Sequence, residues 1–187
     1  MPNWFFVTDI AVALAMPLVY GWLRRSRCVP ASVWSLYWVG CAIGLTWELG
    51  YYVTGPRLSD DPSWVATAEF PLPAILQPLL HTLCDGGLFA AGLLLVFALC
   101  RPPQLVAFRW AELLVLVGWG QVQELGVELL ATGAGTWYFT PRWWNPVLFV
   151  LGASPITLAP QVIWLVAPVV FYLVALRVHR AVTAHGG

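Results

Sequence analysis

The chain has 187 residues, of which 60% are hydrophobic and 10% are charged, and its mean hydropathy is +0.76. A soluble domain of this length does not tolerate so apolar a composition, so the sequence indicates an integral membrane protein. The formal net charge of +0 and nine scattered arginines argue against nucleic acid as a partner. The four cysteines have no paired spacing and predict neither a disulfide framework nor a zinc site.

Five apolar segments have about the 20 residues that a helix needs to span a bilayer core of about 30 Å. They cover residues 4–23, 32–53, 73–99, 109–131 and 157–178. We interpret the first as a retained anchor rather than a signal peptide, because its arginines follow the apolar run and Asp9 interrupts it. Residues 143–154, a short stretch rich in Trp and Pro, are expected to form an interfacial or re-entrant element.

The distribution of arginine predicts how these helices are oriented. With the N-terminus outside, seven arginines fall on the cytoplasmic side and only Arg57 and Arg142 fall outside. We therefore expect an all-α integral membrane protein with five transmembrane helices, an outer N-terminus and a cytoplasmic C-terminus. A single membrane domain, 1–187, would consist of an N-terminal anchor helix and loop (1–31) and a four-helix, pocket-forming bundle (32–180). A bacterial inner membrane and the endoplasmic reticulum both remain open as its location.

Ionisable side chains inside the apolar segments are the candidates for function. A charged group in hydrocarbon costs a few kcal/mol or more, so these side chains are expected to face the bundle interior. They are Glu48 in the second segment, His81 and Asp85 in the third, and Glu124 and Glu128 in the fourth. At a rise of about 1.5 Å per residue, all five lie in the outer half of the bundle.

Helical spacing places these residues in two polar stripes that we expect to line one cavity. The stripes are Gln77, His81 and Asp85 on the third segment, and Gln121, Glu124 and Glu128 on the fourth. Interhelical hydrogen bonding without function is the competing interpretation, above all for Glu128, whose side chain can also reach the outer interface. One histidine among scattered carboxylates is a poor template for a metal, so the sequence predicts no metal and no cofactor.

Three of the twelve tryptophans lie inside the apolar segments rather than near predicted interfaces, where aromatic side chains are common. These are Trp47, Trp119 and Trp164, and Trp47 directly precedes Glu48. An aromatic face can stabilise a cation or pack against an apolar ring system, although core or lipid-facing packing is the commoner role. We treat all three as candidate substrate-binding residues.

Acids, a histidine and aromatic walls in a water-poor pocket suit proton chemistry on a hydrophobic alkene. A carboxylic acid kept neutral by burial donates a proton, aromatic faces stabilise the carbocation, and a second group removes a proton elsewhere. We expect Glu48 and either His81 or Asp85 to form the proton-transfer pair. Glu124 would be a second acid or an orienting group.

Three stretches resemble the emopamil-binding protein group, the membrane sterol isomerases of the EXPERA domain class. IGLTWELGYYV (43–53) resembles the second-helix motif with Glu48 at the acid position, and VGWGQVQELGVELLATG (117–133) resembles the fourth helix. PQVIWLVAPVVFYLVAL (160–176) resembles the last helix, with Gln161 in place of an Asn and Trp164 at the Trp. The resemblance implies an EXPERA-like bundle in which Gln161 orients a sterol and Trp164 stabilises positive charge. The family's histidine one turn before the second-helix acid is replaced here by Gly44.

The sequence therefore predicts an isomerase that moves a double bond in a sterol-like or isoprenoid lipid. A proton-initiated membrane terpene cyclase and a non-catalytic lipid-binding or trafficking protein remain open as alternatives. The expected partners are a hydrophobic lipid substrate and the bilayer, and a homo-oligomer is compatible with the sequence. The expected substrate-binding residues are Trp47, Gln77, Trp119, Gln121, Glu128, Gln161 and Trp164.

Overall fold

Five helices make up most of the computed structural model, which describes residues 3–184. They are α1 (Trp4–Arg25), α2 (Ala31–Val53), α3 (Leu76–Leu99), α4 (Trp110–Gly133) and α5 (Leu158–Ala184). Each helix coincides with one of the predicted apolar segments. The largest difference is at α5, which continues to Ala184 instead of ending at 178.

Four of these helices, α1, α3, α4 and α5, are long and apolar enough to cross a membrane. The remaining helix, α2, is of similar length but is not among these candidates, and Trp, Tyr and Gly make up much of its sequence. The prediction of a mostly helical protein with helices long and apolar enough to span a membrane is thus confirmed. The number of spans and their orientation stay predictions.

Close packing of α2 on α3 depends on glycine. A Cβ atom on Gly40 would lie 3.1 Å from the Cα atom of Gly86, and one on Gly86 would lie 2.8 Å from the carbonyl oxygen of Tyr37. Small residues allow two helix backbones to approach in this way, and such contacts are common between membrane helices. The glycines therefore bring the polar side chains of α2 and α3 close together.

An aromatic core fills the middle of the bundle. The Phe89 ring on α3 stacks on Phe171 of α5 with ring centroids 4.5 Å apart, and it is tilted against Trp164 at 5.0 Å. Below this core the fully buried Glu112 accepts hydrogen bonds from the hydroxyl of Tyr172 at 2.9 Å and from the backbone N–H of Leu105 at 3.2 Å. This carboxylate fixes the connection between α3 and α4 and lies outside the polar cluster predicted from the sequence.

The connections at the other end of the bundle form strands, which departs from the all-α prediction. The first pair joins β1 (Trp64–Ala66) to β2 (Trp137–Phe139), and the second is the hairpin of β3 (Val147–Leu151) and β4 (Ser154–Thr157), all antiparallel. Backbone N–H and C=O groups outside helices need partners, and strand pairing supplies them. The hairpin occupies most of the stretch expected to be interfacial or re-entrant, and all five side chains of β3 are exposed.

Hydrogen bonds and aromatic packing hold the N-terminal end of α1 at this strand-bearing end. The Asn3 side chain accepts a hydrogen bond from the backbone N–H of Phe5 and donates one to the carbonyl oxygen of Ala134 just beyond α4, both at 2.9 Å. The Phe6 ring packs against Phe70 and Trp137, with centroids 5.2 and 5.8 Å apart. The helix expected as an anchor therefore packs against α3 and α2 of the bundle.

Candidate functional site

A cavity of about 150 Å³ lies near the strand-bearing end and is lined by residues from all five helices. Trp64 of β1 and Trp137 and Phe139 of β2 also line it, so the paired strands cover the cavity from the loop side. Trp47 of α2 and Trp164 of α5 contribute aromatic faces, with ring centroids 5.6 Å apart. The cavity is thus bordered by helices, by a short sheet and by several indole rings.

Carboxyl groups dominate the polar lining of this cavity. They belong to Asp9, Glu48, Asp85, Glu124 and Glu128, and the imidazole of His81 is also present. No arginine or lysine is among the residues that line it within 3–184. The lining therefore offers groups that donate and accept protons, and its electrostatic character favours positive charge.

The centre of the polar cluster is the imidazole of His81, which lies between two carboxyl groups on different helices. Its Nδ1 atom is hydrogen-bonded to Oε2 of Glu48 at 3.1 Å. Its Nε2 atom lies 3.1 Å from Oδ2 of Asp9 as an ion-pair contact without hydrogen-bond alignment. The predicted pairing of Glu48 with a partner on α3 is therefore made to His81, and α1 supplies an unexpected second partner.

Asp85 lies one helical turn from His81 and packs against Gly44. A Cβ atom on Gly44 would lie 2.4 Å from Oδ2 and 2.6 Å from Cβ of Asp85. Asp85 is only 7% exposed, and its Oδ2 atom has no hydrogen-bond partner among residues 3–184. The glycine at position 44 thus creates the space that this carboxyl group occupies.

Glu124 of α4 is the second acid without a protein partner. It is 9% exposed, and its side chain makes no hydrogen bond or ion pair in the described part of the chain. Neighbouring Gln123 also lines the cavity, and its buried Oε1 atom lacks a partner there as well. Buried polar groups are normally hydrogen-bonded, so acceptors left free in a cavity are available to water or to a guest molecule.

Glu128, by contrast, accepts hydrogen bonds at both carboxylate oxygens. It is 1% exposed, with Oε1 accepting from the backbone N–H of Thr157 and Oε2 accepting from Nε2 of Gln161, both at 3.1 Å. Gln121 in turn donates to the carbonyl oxygen of Gln161 at 3.0 Å. These bonds join α4 to β4 and α5, as the structural interpretation of Glu128 proposed, although Glu128 also contributes to the cavity wall.

The structure divides the expected substrate-binding residues into two groups. Trp47, Gln77, Glu128 and Trp164 line the cavity. Trp119, Gln121 and Gln161 are not among the residues that line it, so for these three a direct contact with substrate is not supported. Trp119 instead donates its indole N–H to the carbonyl oxygen of Leu88 at 2.8 Å, which joins α4 to α3.

Several lining residues were missed by the sequence reasoning. Asp9 is the most important, and its signal was present, because an acid that interrupts an apolar segment is costly. Tyr51 lies three residues after Glu48, and its buried hydroxyl has no partner within 3–184. Trp137 and Phe139 reach the cavity only because β2 folds over it, and nothing local in the sequence indicates that.

The arrangement of His81 and the acids around it bears on metal binding. Within residues 3–184, no three His, Cys, Asp or Glu side chains are grouped so that they could hold a metal ion. The two nitrogens of His81 are directed at carboxyl groups on either side. His81 therefore contacts Asp9 and Glu48 rather than forming part of a metal-ligand set.

Comparison with protein-family models, with curated proteins and with solved structures finds no match to this chain. A functional assignment consequently depends on the cavity itself: its acids, its histidine and its aromatic walls.

Proposed function

We propose that the protein is a membrane-embedded isomerase that moves a double bond in a sterol-like or isoprenoid lipid. The observation that carries this proposal is the meeting of His81 with four acids from four helices, beside the indoles of Trp47 and Trp164, in one cavity. The acids are Asp9, Glu48, Asp85 and Glu124. In our proposal the five helices cross the membrane with the N-terminus outside, so that the substrate enters from the bilayer.

Proton donation to the alkene is assigned to an acid without a partner. Asp85 and Glu124 both qualify, because neither is hydrogen-bonded to a donor or paired with a cation in residues 3–184. Transfer of a carboxyl proton to one alkene carbon breaks the π bond and leaves a carbocation on the other carbon. General acid catalysis of this kind typically contributes about 10²–10⁴-fold to a rate.

Proton removal is assigned to Glu48, with His81 as its hydrogen-bonded partner. When the Glu48 carboxylate takes a proton from a carbon next to the cation, the C–H electron pair becomes the new double bond. One proton is gained and one is lost by the lipid, so return of the proton to the donor acid completes the cycle without consuming any reagent. The faces of Trp47 and Trp164 stabilise the positive charge in between.

The resemblance to the EXPERA sterol isomerases supports the same assignment through Glu48 and Trp164. It also suggests how the site differs from that family. A side chain at position 44 would collide with Asp85, so the histidine expected there and a carboxyl group at position 85 exclude each other. We propose that His81 on α3 takes the place of the missing histidine, because it reaches Glu48 from the opposite helix.

Product analysis in deuterated buffer tests this proposal. The purified full chain would be incubated with lanosterol, squalene and geranylgeraniol, and the lipids analysed by mass spectrometry and NMR. We expect one of these lipids to give a product with a displaced double bond, an unchanged ring count and one deuterium at the protonated carbon. Retention of all three lipids without deuterium or rearrangement would contradict the proposal.

The terpene cyclase alternative uses the same acids, and the same experiment separates it. Formation of a new ring would show that the carbocation is captured by a second double bond before Glu48 removes a proton. Bound lipid without any product, together with unchanged binding after neutralisation of the acids, would instead favour a lipid-binding protein.

A further inference from the structure

A second cavity of about 400 Å³ adjoins the first and lies beneath the loop that joins α2 to α3. Three side chains line both cavities: Tyr52 at the end of α2, Trp64 of β1 and Gln77 at the start of α3. They form a boundary that we call the neck. The two cavities therefore adjoin at the neck, one on the side of the buried acids and the other on the side of the loop.

The sizes of the cavities limit how a lipid can bind. A cavity of about 150 Å³ holds a group of roughly the size of benzene, whereas sites for larger ligands are about 300–1,000 Å³. The acidic cavity, at about 150 Å³, thus has room for the reacting alkene and little else. The remainder of an isoprenoid lipid must lie elsewhere, and the cavity of about 400 Å³ is the adjoining space.

One side chain of the neck is held by a hydrogen bond, and the other two are not. The Trp64 indole donates its N–H to the carbonyl oxygen of Tyr51 at 2.8 Å, and a Cβ atom on Gly55 would lie only 2.8 Å from that indole nitrogen. The side chains of Tyr52 and Gln77 make no hydrogen bond within residues 3–184. An elongated ligand would therefore pass a rigid aromatic edge and two adaptable polar groups.

The far end of the second cavity is polar and carries both signs of charge. Arg57, Thr67 and Glu69 line it, and neither Arg57 nor Glu69 has an ion-pair partner among residues 3–184. The other arginine of this end, Arg142, is by contrast paired with Asp61. A hydroxyl group both donates and accepts hydrogen bonds and so can use both the cation and the anion of this site, whereas for a phosphate the repulsion by Glu69 offsets the attraction to Arg57.

We propose that the two cavities form one elongated site for an isoprenoid alcohol. Its alkene end occupies the acidic cavity and its hydroxyl end lies beneath the outer loop. The inference rests on the proposed double-bond chemistry, because that chemistry places the alkene beside Glu48. It adds the class of substrate, a long-chain alcohol, and the direction in which the chain runs.

Filling the second cavity tests the length requirement. Ala74 lines this cavity, whereas the next residue, Ile75, is 49% exposed and does not line it. Equilibrium binding of tritiated geranylgeraniol and of the shorter geraniol would be measured on the full chain in detergent. We expect Ala74→Trp to weaken geranylgeraniol binding by about tenfold or more, equivalent to about 1.4 kcal/mol, and to change geraniol binding less than about twofold. The matched variant Ile75→Trp should leave the binding of both alcohols unchanged.

Two results would overturn the inference. The first is geranylgeraniol binding that is absent in the wild-type chain or unaffected by Ala74→Trp. The second is tighter binding of geranylgeranyl diphosphate than of the alcohol, which would contradict the hydroxyl assignment. A failure of the isomerase proposal would look different, because the effect of Ala74→Trp on binding would persist although no lipid acquires a displaced double bond.

Discussion

The Nε2 atom of His81 on α3 lies 3.1 Å from Oδ2 of Asp9 on α1, while Nδ1 of the same ring is hydrogen-bonded to Glu48 on α2. Each ring nitrogen thus faces a carboxyl group from a different helix. A hydrogen-bonding partner on one ring nitrogen determines the tautomer and orientation available at the other. The hydrogen bond to Glu48 therefore orients the ring, and we propose that the Asp9 carboxyl group beside Nε2 helps to hold it in that orientation, so that α1 contributes a positioning residue.

Replacement of Asp9 tests that relationship. We expect Asp9→Asn to lower kcat by about 10- to 100-fold, less than the loss of a proton-transferring group at about 10²–10⁴-fold, because the ring loses its orientation but Glu48 remains. KM should change little, since Asp9 does not hold the lipid. Asp60→Asn, in the exposed outer loop, is the matched control. Unchanged kcat and an unchanged pH–rate profile in Asp9→Asn would show that the Asp9 contact is only structural.

Glu48→Gln should separate catalysis from binding. The amide has nearly the same shape but cannot accept a proton, so we expect turnover to fall by about 10²–10⁴-fold. Native mass spectrometry should still detect lipid bound to the variant, because the cavity keeps its volume. Normal turnover in Glu48→Gln would refute the assignment of Glu48 as the base.

The contact between Gly44 and Asp85 predicts a specific steric effect. A methyl group at position 44 would lie 2.6 Å from Cβ of Asp85, so Gly44→Ala should destabilise the fold by about 1–3 kcal/mol. Thermal unfolding in detergent measures this loss. Gly50→Ala, on the same helix but with nothing within 4 Å, should be neutral or stabilising by about 0.5–1 kcal/mol.

A compensating change makes this prediction sharper. The clash involves Oδ2, Cβ and Cγ of Asp85, so Asp85→Gly should restore more of the stability lost in Gly44→Ala than Asp85→Ala, which keeps the Cβ contact. The energies of the two sites should be strongly non-additive, as is usual for residues in direct contact. Additive effects in the Gly44→Ala/Asp85→Gly pair would mean that Asp85 does not occupy this space.

Glu124 and Glu128 are one helical turn apart, but substitution by Gln should have different effects at the two positions. It should lower stability at Glu128 and turnover at Glu124. Glu128→Gln replaces one of two engaged oxygens by an NH₂ group, so we expect a loss of about 1–3 kcal/mol in unfolding free energy. Glu124→Gln breaks no hydrogen bond and should leave stability unchanged while turnover falls. A stable, active Glu128→Gln together with an unstable Glu124→Gln would reverse the two roles.

The proposed orientation predicts which cysteines react from each side of the membrane. Cys28 is exposed in the connection between α1 and α2, which we place in the cytoplasm. A membrane-impermeant maleimide should therefore label it only in permeabilised cells, and Cys28→Ala should abolish that signal. An Asp60→Cys variant in the outer loop should be labelled in intact cells. Labelling of Cys28 in intact cells would invert the topology.

The positions of the helices could be read from the sequence because the bilayer imposes a simple rule. About 20 consecutive apolar residues are needed to cross the hydrocarbon, and every helix of the structure begins and ends near such a segment. The same rule identified the candidate polar residues Glu48, His81, Asp85 and Glu124, because placing an ionisable side chain in hydrocarbon costs free energy. Their convergence on one cavity followed from their depth and helical spacing.

The partners of those residues depended on helix rotation and packing, which hydrophobic length does not encode. Asp9 was visible as an acid in the first segment, but only the packing of α1 against α3 directs it at His81. Gln121 belongs to the same predicted stripe as Glu124, and Gln161 was assigned through the family resemblance, yet the hydrogen bonds of both join α4 to α5. A helical face spans several neighbours, and the tertiary structure decides which neighbour each side chain meets.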